Sequence, residues 1–344
     1  MDNTTPTVFD QTFLRRGEEL QEFMLFLLKG GLTKQSRDAI GAAAAQYVSQ
    51  KTKGHGLNQS EVDLGEVGDG IVKTLQNTGY AIIDPVFSPT DVLEIEDFFK
   101  NIKVHYGSIG HDEGGRKGET LLGDLPENIR FASYRAADIY VCPPIYNAVH
   151  NKHLIDTMAS YLGAPPTISS VSMWWSFPSS QSPGGMQMFH HDRGDFRSCN
   201  LFVYLTDVTE LTGPHSFVTN THNFNTLYAL ATERFGSNPE QFQTFWKWME
   251  VHRKSDADVR QCFHESEIKV FTGPKGTSFL EDTRGLHKAT LPTAGPRLAF
   301  EIVYSTLPKF NEKIAPVSRK HLGFEVDEAA IDPRIRYATR LIYT

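Results

Sequence analysis

Residues 276–305 read "GTSFLEDTRGLHKATLPTAGPRLAFEIVYS", two apolar runs parted by a stretch that carries Pro292 and the Gly295–Pro296 pair. Runs rich in Phe, Ile, Val and Tyr and bounded by Gly and Pro are strands joined by turns. His287 closes the first arm and Arg297 opens the last. A hairpin of this length brings Arg297 back toward His287, since ten residues split into two arms and a turn keep the ends close. The same texture extends upstream through TISSVSMWWSF, MQMFHH, CNLFVYLTDV, HSFVT and EIKVF, with SPGG, TGP and TGPKG as turns. Many short strands without intervening βαβ units predict an antiparallel barrel or double-sheet jelly roll. The fold class is therefore mainly β with helical layers.

The bulk numbers narrow the function. A chain of 344 residues with 40% hydrophobic and 22% charged residues is an ordinary soluble composition with ample core. A net charge of −7 opposes binding to nucleic acid or an anionic membrane through bulk electrostatics. FMLFLL at 23–28 is too short to span a bilayer, and MDNTTPTVFDQ lacks the basic start of a secretory signal. Cys142, Cys199 and Cys262 are distant and odd in number, so neither a disulfide framework nor a CxxC knuckle is present. A reducing cytoplasm is the expected compartment. The sequence carries no mark of an oligomeric state.

Three regions follow from the periodicities. Residues 1–63 are a helical extension, with one helix candidate at 12–29 and an Ala-rich one from Thr33 to Gln50. Residues 64–317 hold the β core, interrupted by a helical insertion at about 227–258 that carries Trp246 and Trp248. Residues 318–344 are partly helical and pack back onto the core. "GSIGHDEGGRKGE" at 107–119 is a glycine-rich loop, a lid candidate rather than a metal site at His111, Asp112 and Glu113.

"MQMFHHDRGDF" at 186–196 supplies the chemistry. A strand alternates its faces, so His190 and Asp192 point one way and His191 the other. His191 is then a neighbouring hydrogen-bonder, not a ligand. His287 is the third partner. Two imidazoles and one carboxylate on one face of a metal form the open facial triad of non-haem iron(II) oxygenases. A guanidinium nearby, Arg297, suits a carboxylate through a bidentate charge-assisted pair. His215 and His222 read as loop residues with structural or solvent-facing roles.

FHHD at 189–192, NLFVYLTDVTELTGPHSFV at 200–218, DTRGLHKATLPTAGPR at 282–297 and TGYAII at 78–83 together resemble the phytanoyl-CoA dioxygenase-like family. These are iron(II)/2-oxoglutarate oxygenases on a double-stranded β-helix, a cupin-like jelly roll, and the resemblance spans about residues 70 to 305. It implies that His190, Asp192 and His287 bind Fe(II) and that Arg297 binds the distal carboxylate of 2-oxoglutarate, with O2 as the second cosubstrate. It further implies that Phe202 lies beside the cosubstrate and that Thr293 offers it a hydroxyl. GPHSFVTNTHN departs from the family's usual "GP…PGSH" segment. Asp192 stands where related halogenases carry a small residue, so hydroxylation of a small molecule, with release of succinate and CO2, is expected over chlorination.

For the substrate, Trp175 is a candidate wall, and Arg193 and Arg284 flank the ligands in a way that suits an anionic molecule. Two alternatives use the same residues. One is a zinc hydrolase, which has no need of Arg297; the other is a non-catalytic small-molecule-binding jelly roll.

Overall fold

Alternation along RLAFEIVYS organises the molecule. Leu298, Phe300 and Ile302 enter one apolar core, and Arg297, Ala299 and Glu301 take the opposite face of the same strand. The computed structural model describes residues 32–55, 57, 62–107, 118–180, 182–309 and 314–344. The helix candidate at 12–29 and most of the glycine-rich loop at 107–119 lie outside the described residues.

From the N-terminus, α1 (Lys34–Thr52) and α2 (Gly65–Thr78) precede β1 (Tyr80–Ile83), α3 (Pro89–Phe99), β2 (Val104–Gly107), β3 (Gly118–Thr120) and β4 (Phe131–Ser133). Three helices follow, α4 (Ala136–Tyr140), α5 (Pro143–Val149) and α6 (Lys152–Leu162). Next come β5 (Thr167–Ser176), β6 (Phe189–His190), β7 (Ser198–Tyr204) and β8 (His215–Val218). The insertion forms α7 (Phe224–Phe235), α8 (Pro239–Glu250), β9 (Arg253–Lys254) and α9 (Asp256–Cys262). The chain ends with β10 (Ile268–Phe271), β11 (Ser278–Glu281), β12 (His287–Ala289), β13 (Arg297–Ser305) and α10 (Pro333–Thr339).

Among the described residues the strands form two antiparallel sheets. The larger runs β1-β11-β7-β13-β5-β4-β2-β3 and the smaller β10-β8-β12-β6-β9. This is the double-sheet jelly roll expected from the strand texture. The outer face of the large sheet packs Leu298, Phe300, Leu201 and Met173 against Ile95 of α3, Ile145 of α5 and Met158 of α6. Phe202, Tyr204, Phe217, Phe271 and Phe279 fill one end of the space between the sheets. Phe189, Val218 and Leu286 on the outside of the small sheet are covered by Leu227, Phe245 and Val259 of the insertion. Trp246 packs on Phe224 and Tyr228 there, a docking role. The C-terminal stretch returns to the core, where Tyr343 donates to the Tyr140 carbonyl at 2.9 Å.

One expectation is corrected here. His287 and Arg297 do not face each other across a hairpin, because β12 pairs with β8 and β6 whereas β13 pairs with β7 and β5. The 290–296 segment crosses between sheets instead. The Thr290 amide donates to Pro214, and those of Thr293 and Ala294 donate to Leu211, which pins the crossing to the β7–β8 loop. No helix among the described residues is long and apolar enough to cross a membrane.

Candidate metal centre

β6 and β12 are neighbours in the small sheet, with His190 directly opposite His287. Their ring centroids lie 4.3 Å apart. Each ring turns Nδ1 to the backbone carbonyl two residues before it, Met188 at 2.9 Å for His190 and Gly285 at 3.0 Å for His287. A proton on Nδ1 makes that contact a hydrogen bond and leaves the Nε2 lone pair free, as metal-binding histidines require. Both Nε2 atoms approach Asp192 Oδ1, at 3.7 and 3.8 Å. His190, Asp192 and His287 thus offer three ligand atoms within 4.8 Å of one another. Burial pushes the His190 imidazole down to about 3, with His287 adding to the effect, so the ring is neutral at pH 7. A neutral imidazole is the form that binds metal.

Local sequence explains the convergence. A side chain on Gly285 would meet the Phe217 ring at 2.5 Å, so the turn that supplies the carbonyl to His287 is closed to larger residues. Strand β6 stops at His190, and Asp192 lies beyond it in a loop. Asp192 reaches the same point because its amide donates to the Thr283 carbonyl at 2.8 Å, tying it to the loop after β11. Its side chain is 40% exposed, which makes it the open side of the group. His191 lies beside Lys34, Arg37 and Asp38 of α1 in a cleft that Asp192 also lines.

A second layer went unread in the sequence. His215 is a buried residue of β8, not a loop residue, and stacks on His287 at 5.5 Å and 9°. Its Nε2 lies 3.0 Å from Glu281 Oε1, and the same oxygen is 4.0 Å from His287 Nδ1. Burial pushes the Glu281 carboxyl up to about 8 and the His215 imidazole down to about 3. The two therefore meet as a neutral acid donating to a neutral ring. The period-2 pattern of HSFVT against SFLE held this pair, since it turns His215 and Glu281 inward with Phe217 and Phe279.

Arg297 opens β13 on the inner face and is 2% exposed. Its Nη1 donates to the Gly213 carbonyl and Nη2 to Ser176 Oγ at 3.3 Å. Nε has no partner among the described residues, and no carboxylate there pairs with the guanidinium. Phe202 also faces inward, its ring 4.8 Å from that of His215.

The remaining sequence candidates lie elsewhere. Thr293 is exposed on the crossing segment, where its hydroxyl donates to Leu211 at 3.3 Å. Trp175 pairs with Leu298 on the helix-covered face and donates to Tyr134 Oη at 3.3 Å, so the inward tryptophan is Trp174. Arg193 donates to His191 Nε2 at 3.0 Å and to the Glu250 carbonyl at 3.0 Å. Arg284 clasps fully buried Asp282 at 2.8 and 2.5 Å and reaches Asp38 of α1 at 3.4 Å. Acids occupy both arginines, Glu250 for Arg193 and the neighbouring Asp282 with Asp38 for Arg284.

Arg284→Ala is therefore expected to destabilise the fold by about 3–5 kcal/mol, because it strands a buried carboxylate. Urea unfolding checks this; an unchanged midpoint with an unchanged slope would free Arg284 for a ligand role.

No family model matches the chain, and no curated protein matches it. Solved structures do. HygX from Streptomyces hygroscopicus, with nickel and 2-oxoglutarate bound, is 16% identical and aligns over 72% of this chain and 90% of its own, with a TM-score of 0.41. The non-heme alpha ketoglutarate dependent epimerase SnoN from nogalamycin biosynthesis is 13% identical over 71% and 87%, with a TM-score of 0.44. EvdO2 from Micromonospora carbonacea var. aurantiaca, complexed with 2-oxoglutarate, is 14% identical over 72% and 95%, with a TM-score of 0.45.

Proposed function

We propose that the chain is an iron(II)- and 2-oxoglutarate-dependent oxygenase of the phytanoyl-CoA dioxygenase-like kind that hydroxylates a small molecule. The observation that carries this reading is Arg297. A buried guanidinium with no carboxylate partner among the described residues, between the same two sheets as the His190–Asp192–His287 group, calls for an anionic ligand. A zinc hydrolase built on the same three ligands leaves that cation without a task.

His190 and His287 would hold the metal through Nε2 and Asp192 through a carboxylate oxygen. Iron(II) there supplies dioxygen activation coupled to decarboxylation of 2-oxoglutarate, giving succinate and CO2. The protein does the rest. Arg297 and the Ser176 hydroxyl grip the distal carboxylate, Phe202 walls the cosubstrate, and the Met188 and Gly285 carbonyls fix both ring tautomers. The Phe271–Phe279–Tyr204 cluster keeps water from that end of the space. Retention of Asp192 favours hydroxylation over halogenation.

The test is succinate release from 2-oxoglutarate with added Fe(II), under air and under nitrogen, beside metal analysis of the purified protein. Oxygen-dependent succinate is the expected result. Bound zinc with no succinate in either atmosphere would remove the proposal.

A further inference from the structure

The geometry points to a substrate subsite at Glu301, Asn200, Ser172 and Trp174 that takes a hydroxyl- or amine-bearing molecule and refuses an anion. This rests on the oxygenase reading, since it assigns the substrate of that same site. Glu301 sits on the inner face of β13, four residues and about 13 Å along the strand from Arg297. The start and the middle of one strand thus offer opposite charges to the space between the sheets.

Around Glu301 the neighbouring strands supply a polar band. Its Oε2 accepts from the Ser172 hydroxyl of β5 at 3.0 Å, and its Oε1 from the Asn200 amide of β7 at 2.7 Å. Asn200 is 1% exposed, and its Oδ1 has no partner among the described residues. On the same face Ser170, Ser172, Trp174 and Glu301 keep partial exposure, whereas Met173, Phe300 and Ile302 on the opposite face are closed. Trp175 is the exception on the covered face, and the run Ser170, Ser172, Trp174 and Glu301 marks the inner face as the one bordering open space. Trp174 stacks on Phe131 at 6.5 Å and presents an aromatic wall there.

The chemistry of the band decides the ligand class. Ser172 Oγ–H and one Asn200 N–H already serve Glu301, which leaves the second N–H of that amide. The rest is acceptor capacity, the spare lone pairs of the carboxylate and Asn200 Oδ1. Beside that one N–H most of the free capacity accepts, so a group that donates, as hydroxyl and ammonium groups do, matches it best. Burial pushes the Glu301 carboxyl up to about 7, Lys309 pulls against that, and Asp192 adds to it. A carboxylate already seated on Ser172 and Asn200 at the border of the open space disfavours a second anion there. The arginines that would welcome one, Arg193 and Arg284, are held by His191, Glu250, Asp282 and Asp38.

Binding is to be read without turnover, on protein loaded with Ni(II) and 2-oxoglutarate, by tryptophan fluorescence. The probes are matched sets on one ring: glucose, glucosamine, glucuronate and glucose 6-phosphate, with the corresponding cyclitol and nucleoside series. Polyol or amine members should bind at least tenfold tighter than their carboxylate and phosphate counterparts. Glu301→Gln should weaken the preferred members tenfold or more, and Trp174→Phe should lose the fluorescence response. Asn200→Ser serves as the second variant should Glu301→Gln fail to fold, as judged by its thermal midpoint. Acidic members binding equally well, no donor-bearing member binding, or an unaltered affinity in folded Glu301→Gln would each overturn the subsite. Succinate release by the wild type tests the oxygenase reading separately, so failure of the subsite is distinguishable from failure of that reading.

Discussion

Alanine at His190, Asp192 or His287 is expected to abolish iron-dependent succinate release and to weaken metal binding by more than about 100-fold, since even outer-sphere partners of metal ligands carry 10–100-fold. The reason is economy of ligands. The three ligand atoms lie within 4.8 Å of one another, and no fourth His, Cys, Asp or Glu joins that group among the described residues. His215 is the nearest imidazole, stacked behind His287, but its Nε2 is committed to Glu281. Asp192→Ala is the cleanest of the three variants, since its side chain is 40% exposed and its removal leaves no closed cavity. His190 and His287 are buried, so their alanine variants should also lose some thermal stability. Metal content after dialysis, measured beside the melting midpoint, separates the two effects. A folded variant that keeps its metal through dialysis takes that residue out of the site.

The sequence was most legible where chemistry and periodicity coincide. An H-x-D pair after an apolar run, with a distal His, needed only strand alternation to converge, and it did, although β6 ends one residue after it begins and a loop contact places Asp192. Legibility failed where the answer depends on which sheet a strand joins. Pro292, Gly295 and Pro296 announce a turn without saying whether the next strand returns to β12 or crosses to β7 and β5. For the same reason alternation separates Trp174 from Trp175 without telling which one enters the sandwich. Proximity in sequence misled most for Arg193 and Arg284. Both flank the ligands, yet Glu250 of α8 claims Arg193 and Asp38 of α1 joins the neighbouring Asp282 in claiming Arg284. Long-range pairing of this kind is invisible in one chain read linearly.

Arg297→Ala is expected to cost tens- to thousands-fold in 2-oxoglutarate affinity while sparing the metal. Loss of one partner from a buried charged hydrogen-bond pair is worth on the order of 2–5 kcal/mol. The ligand-free protein should suffer less than usual for a buried arginine. Among the described residues its guanidinium donates to the Gly213 carbonyl and Ser176 Oγ alone, and burial lowers its pKa from the ordinary arginine value, so the resting fold gains little from the charge. Truncation removes a burdened cation as well as side-chain volume, and these effects oppose each other. The discriminating measurement is therefore the shift in melting midpoint caused by 2-oxoglutarate on Ni(II)-loaded protein. A ligand that binds only the folded state stabilises in proportion to the logarithm of its concentration over Kd. Wild type should show that shift, Arg297→Ala should show almost none at the same concentration, and Arg297→Lys should recover only part of it, because a point charge does not reproduce a planar fork. An equal shift in wild type and Arg297→Ala would place the distal carboxylate on some other group, and the argument from the unpaired guanidinium would fall with it.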